Sequence, residues 1–163
     1  MSFALVYERL CDFEEQVIGA EIINRNPDAR TLRAPKEWPE MLTQADLPLC
    51  INTFGRFQRN RLGTGIHVYQ GPITLSLYLA FAGDRLAIVN QFDNMNIVDI
   101  MLDQFEAYPG LEINNIPVKG LFDPIEVADS TPIASLRYPL NAPVAPLFWG
   151  AIITLNAGIS KDC

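Results

Sequence analysis

The sequence predicts an α+β domain: a mostly antiparallel sheet carrying two amphipathic helices on one face. Two segments, one at the start and one near position 100, space their apolar residues at the helical period. Others alternate apolar and polar residues with the period of a strand, most clearly 72–81 and 147–157. The order is helix, two or three strands, helix, then two or three strands. Helices and strands do not take turns as a parallel sheet requires.

The first helix is marked by Phe3, Val6, Leu10, Phe13, Val17 and Ala20, at steps of three and four. Glu8, Asp12, Glu15 and Glu21 lie off that stripe, and Ser2 is placed to cap the start. Gly19 weakens a helix by about 1 kcal/mol relative to alanine, so the end is expected between Gly19 and Asn24. With under three heptads, the stripe reads as a helix packed on a sheet rather than a coiled coil.

Residues 25–46 hold three prolines and many polar side chains and predict an irregular connection. Arg25, Arg30, Arg33 and Lys36 make a loose basic stretch there, solvated among interleaved acids. "LPLCINTF" (47–54) reads as a strand with Pro48 near its start, where a missing N–H is tolerated. In 72–81, Ile73, Leu75, Leu77, Leu79 and Phe81 are expected on one face, with Thr74, Ser76, Tyr78 and Ala80 on the other. "TGIHVYQ" before it is also extended, and Gly71-Pro72 predicts a bulge or bend between the two.

The second helix falls within 87–108, with Val98, Met101, Leu102, Phe105 and Tyr108 on one face and Asp99 and Asp103 beside it. Pro109-Gly110 ends it; Asp93 or Asn94 caps a short version, or it starts before Ile88. Seven of the twelve prolines follow from Pro109 onward, predicting short strands and loops. Within that part, 116–122 and 133–138 are strand candidates, and a proline-rich insertion or loop is expected around 123–146. In 147–157, Trp149, Ala151, Ile153 and Leu155 alternate with Phe148, Gly150, Ile152 and Thr154.

At 163 residues the chain suits one domain, 1–163. A domain this long buries about 70% of the surface its unfolded chain exposes and needs no disulfide or metal to fold. A hydrophobic share of 49% with 19% charged residues excludes a disordered chain. A net charge of -7 predicts a surface that on average repels nucleic acid and anionic membrane. Local basic contacts remain open, because exposed charges screen one another beyond about 8 Å.

Cys11, Cys50 and Cys163 are odd in number and have no metal-finger spacing, which predicts reduced thiols in a reducing compartment. Cys11 and Cys50 are expected as small core residues and Cys163 as idle. Acids arrive by position 8, and no apolar run nears the ~18 residues of a span, so a soluble cytosolic protein without a secretory signal is expected.

No catalytic, cofactor-binding or metal-binding residue is assigned. His67 is the single histidine; a thiol or hydroxyl site around it would need a partner such as Cys50, and no spacing links them. A histidine metal site lacks partners, and Asp93, Asp99 and Asp103 read as the wet side of a helix. The "GTG" at 63–65 is neither a Walker loop nor a dinucleotide fingerprint.

The conspicuous charge feature is "GRFQRNRLGTG" (55–65), which places Arg56, Arg59 and Arg61 between two strands in an acidic chain, with Gly55, Gly63 and Gly65 free to turn.

Several pieces, in order, resemble the tail terminator (tail completion) proteins of long-tailed bacteriophages. They are the N-terminal amphipathic helix, the loop "EWPEMLTQADLPLCINTF" whose "ADLP" opens a strand, the extended "Y…GPITLSLYLAF", the helix end "VDIMLDQFEAYPGL" and the closing "FWGAIITLNAG". Together they cover about residues 3–158, and 123–146 has no counterpart.

The resemblance implies an α+β subunit of a six-membered ring at the head-proximal end of the tail tube, without catalysis or cofactor. The ring would end tube polymerisation and dock the tail to the neck. Its partners would be the tail tube protein and a neck or connector protein, with a sheath left open and DNA passing through the lumen unbound. Its location would be the virion tail-neck region, reached from the host cytoplasm. On that reading Arg56, Phe57, Arg59, Arg61 and Tyr69 are expected at a subunit or partner interface, because eighteen arginines turned inward would grip DNA that must slide. The alternatives are another neck, head-completion or connector component, a small α+β ligand-binding domain, and an enzyme using His67.

Overall fold

The N-terminal stripe builds a helical rod in three parts: α1 (Ser2–Phe13), a π-helical turn (Glu14–Ile18) and α2 (Gly19–Arg25). The structure, a computed structural model, describes residues 2–81, 87–139 and 147–160, with 87–94 described by backbone alone. Val6, Leu10 and Phe13 are buried as expected. Beyond them the π turn holds one extra residue, which advances the stripe: Ile18 and Ile22 are buried, while Ala20 is exposed and Val17 half-buried. Ser2, expected as the cap, is the first residue of α1 and is buried, and its Oγ has no hydrogen-bond partner among the described residues. The rod ends at Arg25, one residue past the expected window.

Residues 26–46 run irregularly around the sheet edge, as their prolines predict. Leu32 and Ala34 enter the core on the helix side, whereas Leu42 and Leu47 enter it on the other. Midway, Arg33 pairs with the edge strand: its N–H donates to Pro48 O at 3.1 Å, and its carbonyl accepts from Cys50 N–H at 2.8 Å. The basic stretch is satisfied locally, by Arg25–Glu21 (2.9 Å), Lys36–Asp12 (3.1 Å) and Arg33–Asp46 (3.7 Å).

The described residues form five strands: β1 (Leu49–Phe54), β2 (Gln58–Gly63), β3 (Ile66–Phe81), β4 (Leu121–Arg137) and β5 (Leu147–Ser160). The order is β1-β3-β5-β4, every pair is antiparallel, and β2 lies in line with β1 along the first half of β3. Ile73, Leu75 and Leu77 of β3 and Ile153, Leu155 and Ile159 of β5 face the rod and α3 (Ala87–Ala107). The opposite face packs Ile51, Tyr78, Leu136 and Phe148 with Leu42 and Leu47. Each such side chain, fully buried, contributes about 1.5–3 kcal/mol. The α+β sheet with both helices on one face is therefore the observed architecture.

Three local expectations give way. Gly71-Pro72 makes no bulge: both pair with Ala157 and Asn156 of β5 in unbroken register. There β3 instead exchanges β2 for β1 on its other side. Pro72 O accepts Gly55 N–H at 2.8 Å, so the absent proline N–H falls in the gap between those partners. A Cβ on Gly71 would lie 2.7 Å from the Phe57 ring, which is why the crossing segment can rest on the strand. The register shift comes later, between Tyr78 and Ala80. It leaves Leu79 against the helix-side core but turns Phe81 to the other face, 4.7 Å from the Phe148 ring.

The third correction concerns 123–146. Through Arg137 it is strand, and residues 140–146 lie outside the described residues. β4 runs 17 residues across Pro124 and Pro132, with four register shifts against β5. As the last strand of the sheet it tolerates prolines, since one side of its ladder needs no donors. The candidates 116–122 and 133–138 thus reduce to a bridge between Ile113 and Ile116 and one long strand.

α3 starts by Ala87 rather than at Asp93 or Asn94, and ends before Pro109-Gly110. Val98, Met101 and Phe105 are buried, Asp99 and Asp103 exposed; Tyr108 is exposed at its rim yet touches the Phe13 ring. Among the described residues no helix is long and apolar enough to cross a membrane. Cys11 and Cys50 are buried free thiols, and Cys163 lies outside the described residues.

Candidate interaction surface

The basic segment becomes a hairpin arm, β2 turning through Thr64-Gly65 into β3. Gly65 takes φ 76°, a left-handed conformation that favours glycine. Register sets Arg59 opposite Tyr69 and Arg61 opposite His67. Tyr69 packs on Phe3 of α1 at 5.3 Å, so this row lies on the helix-bearing face. Phe57 meets the same Phe3 ring at 5.3 Å and Phe54 at 5.6 Å, and Phe54 meets Tyr7 at 6.0 Å. These aromatics clamp the root of the arm to the first helix.

Arg56, Arg59 and Arg61 are exposed, and none forms an ion pair within the described residues. Arg61 Nε donates to Gly63 O at 3.2 Å. Leu62 (55% exposed) and Ile66 (51%) add apolar surface near the tip. The five expected residues are therefore brought together but play two parts. The arginines face solvent, while Phe57 and Tyr69 are half-buried and orient the arm.

His67 is half-buried on β3, and Cys50 pairs with Leu77 on the same strand. Ten residues of strand separate those positions by about 33 Å, so the fold does not bring the two together.

On the face turned from the helices, a cleft of about 780 Å³ is lined by Gln70, Asp123, Glu126, Asn156 and neighbouring backbone. Asn60 Nδ2 donates to Gln70 Oε1 at 2.5 Å, and Gln70 Nε2 to Asp123 Oδ2 at 3.4 Å, which links the arm to the start of β4. Asp123, Glu126 and Asp129 are the charged residues of β4 before Arg137, and none is ion-paired within the described residues.

A buried polar cluster sits where the π turn meets β1. Glu14 is fully buried; Cys50 Sγ donates to its Oε2 at 2.9 Å, and Asn52 Nδ2 donates to its Oε1. Asn52 Nδ2 also lies 3.5 Å from Cys11 Sγ. Burial lifts the Glu14 carboxyl to about 8 and the Cys11 thiol to about 11, and it raises Cys50 well above the ordinary thiol range. All three are neutral near pH 7, so neither thiol supplies a nucleophilic thiolate there. Among the described residues no group of histidine, cysteine and carboxylate side chains is arranged to hold a metal. Sequence reading passed over Glu14 and Asn52. The available signal was position: Glu14 stands four residues from both Leu10 and Ile18, on the apolar stripe itself.

No protein-family model matches this chain, and no curated protein matches it either.

Proposed function

We propose that this chain is a structural subunit that works by assembling. Its place is that of a tail terminator: a six-membered ring on the head-proximal end of a long phage tail tube, ending polymerisation and docking the tail to the neck. The observation that supports this reading is the arm, a rigidly rooted hairpin presenting three arginines unpaired within the described residues and two apolar residues on an otherwise acidic chain. Such a projection suits protein contact across subunits. Six copies at -7 each give an acidic ring through which duplex DNA slides, provided the arginines are turned to protein and not to the lumen. The tube protein and a neck or connector protein are the partners this reading requires, with assembly in the host cytoplasm and residence in the virion.

Negative-stain microscopy with light-scattering mass on the purified chain tests the ring directly. Open-centred rings of six support it. Replacing Arg56, Arg59 and Arg61 by serine is expected to weaken ring or tail assembly and leave the subunit's melting temperature nearly unchanged, because exposed arginines add little to folding. Normal assembly by that variant sinks the role given to the arm.

A further inference from the structure

We propose that the arm of one copy docks against the acidic β4 side of another, Arg59 and Arg61 against Glu126 and Asp129; this deepens the assembly reading and rests on it. The two patches are segregated in sequence. No acid occurs between Asp46 and Asp84, a stretch that includes β1, β2 and β3, whereas β4 holds three acids and no base before Arg137. The ion pairs found among the described residues lie elsewhere, on the rod, its connection and α3.

Within one copy these two patches do not meet. β2 and β4 are separated by β3 and β5, three inter-strand steps or about 14 Å. The register also puts Arg59 and Arg61 on the helix-bearing face, while Glu126 pairs with Asn156 on the other. A second copy removes both obstacles. Apolar side chains flank each patch: Leu62 and Ile66 near the arm tip, Phe122 and Ile133 exposed on β4.

Because the patches are different surfaces, the contact is head-to-tail, the kind that closes into a ring when its rotation closes. Pro124, Pro132 and the register shifts break the outer ladder of β4, so continuous backbone pairing between copies is disfavoured and side chains carry the contact. Association is then weakened by salt.

The test uses two charge-reversed chains, R59E/R61E and E126R/D129R, and a chain carrying all four changes. Mass is read by light scattering from about 50 mM to about 500 mM salt, a range over which exposed charges become screened. Circular dichroism melts confirm that each variant folds. The wild type is expected to associate and to loosen with salt. Each reversed chain alone should associate at least about ten-fold more weakly, as like charges now face each other. Mixing the two one-to-one, or using the chain with all four changes, should restore assembly, since every arm again meets an opposite β4. Folded variants that fail to complement one another overturn the docking. Wild-type rings indifferent to both reversals overturn the docking and leave the ring standing. A wild type that stays monomeric in low salt at the highest concentration overturns both.

Discussion

Gly150→Ala is expected to prevent this subunit from folding or to remove most of its stability. Gly150 lies on β5 and pairs with Tyr78 at the centre of the sheet. A Cβ there would stand 1.8 Å from the carbonyl oxygen of Leu77, 2.9 Å from its carbonyl carbon and 3.0 Å from Leu136 Cδ1. Ordinary non-bonded contacts begin near 3.5 Å, so β3 and β5 would have to part by more than an ångström. The obstacle is backbone, which cannot rotate away as a side chain does. A cost above about 4 kcal/mol is expected, against a total of about 5–15 kcal/mol for a domain. Gly65→Ala is the control, because nothing lies within 4 Å of its Cβ and only the φ of 76° is unfavourable; its cost should be about 1 kcal/mol. Urea melts followed by circular dichroism decide it. A Gly150→Ala chain that melts with the wild type would show that the register of β3 on β5 is wrong.

The second large effect is a pH dependence set by Glu14. Its carboxyl titrates near 4.5 in an unfolded chain and is lifted to about 8 here, by burial first, with the Cys50 and Asn52 hydrogen bonds opposing. Below pH 4.5 both states hold the proton, and stability is unaffected. Between 4.5 and 8 the unfolded chain releases the proton while the native one keeps it, so stability falls as pH rises. The slope is at most about 1.4 kcal/mol per pH unit, and above about 8 the native carboxyl ionises too and the fall levels off. From pH 5 to pH 8 the wild type should lose up to about 4 kcal/mol through this group. Asp46, held below its usual value by the backbone N–H and hydroxyl of Thr43, acts only in acid and in the opposite sense.

Glu14→Gln keeps an acceptor for Asn52 and cannot ionise, so its stability should be nearly flat over the same range and exceed the wild type's at pH 8. Glu14→Ala removes that acceptor, orphans the Asn52 amide in the core and should be destabilised at every pH. Urea midpoints at pH 5, 6.5 and 8 separate these cases. Equal slopes for the wild type and Glu14→Gln would mean that Glu14 is not the group responsible.

Much of the architecture is carried by local patterns. Steps of three and four from Phe3 to Phe13 and from Val98 to Phe105 can bury one side only as helices, and the alternation in 72–79 and 147–157 can do so only as strands. The arm was legible as a charge feature, three arginines flanked by glycines, but it was read as a connection; Arg59 and Arg61 lie on a strand, β2, because the first half of β3 supplies a ladder for it.

The corrections share a cause: each depends on a partner remote in the sequence. The π turn moved the buried stripe from Val17 and Ala20 to Ile18 and Ile22, and it brought Glu14 in to Cys50 and Asn52, at least 36 residues away. Phe81 changed faces because β3 shifts its register on β5, seen only once Phe148 lies beside it. Residues 123–132 read as loop between two strand candidates because Pro124 and Pro132 are poor strand formers, a bias overridden when β5 supplies a ladder on one side and joins them in one strand.

The amino-acid order by itself determined the layers, because burial of one face imposes a period of 2 or 3.6 on neighbouring residues. Only the tertiary structure decided where that period slips and which charges lack a mate among the described residues, because both follow from which strand lies next to which.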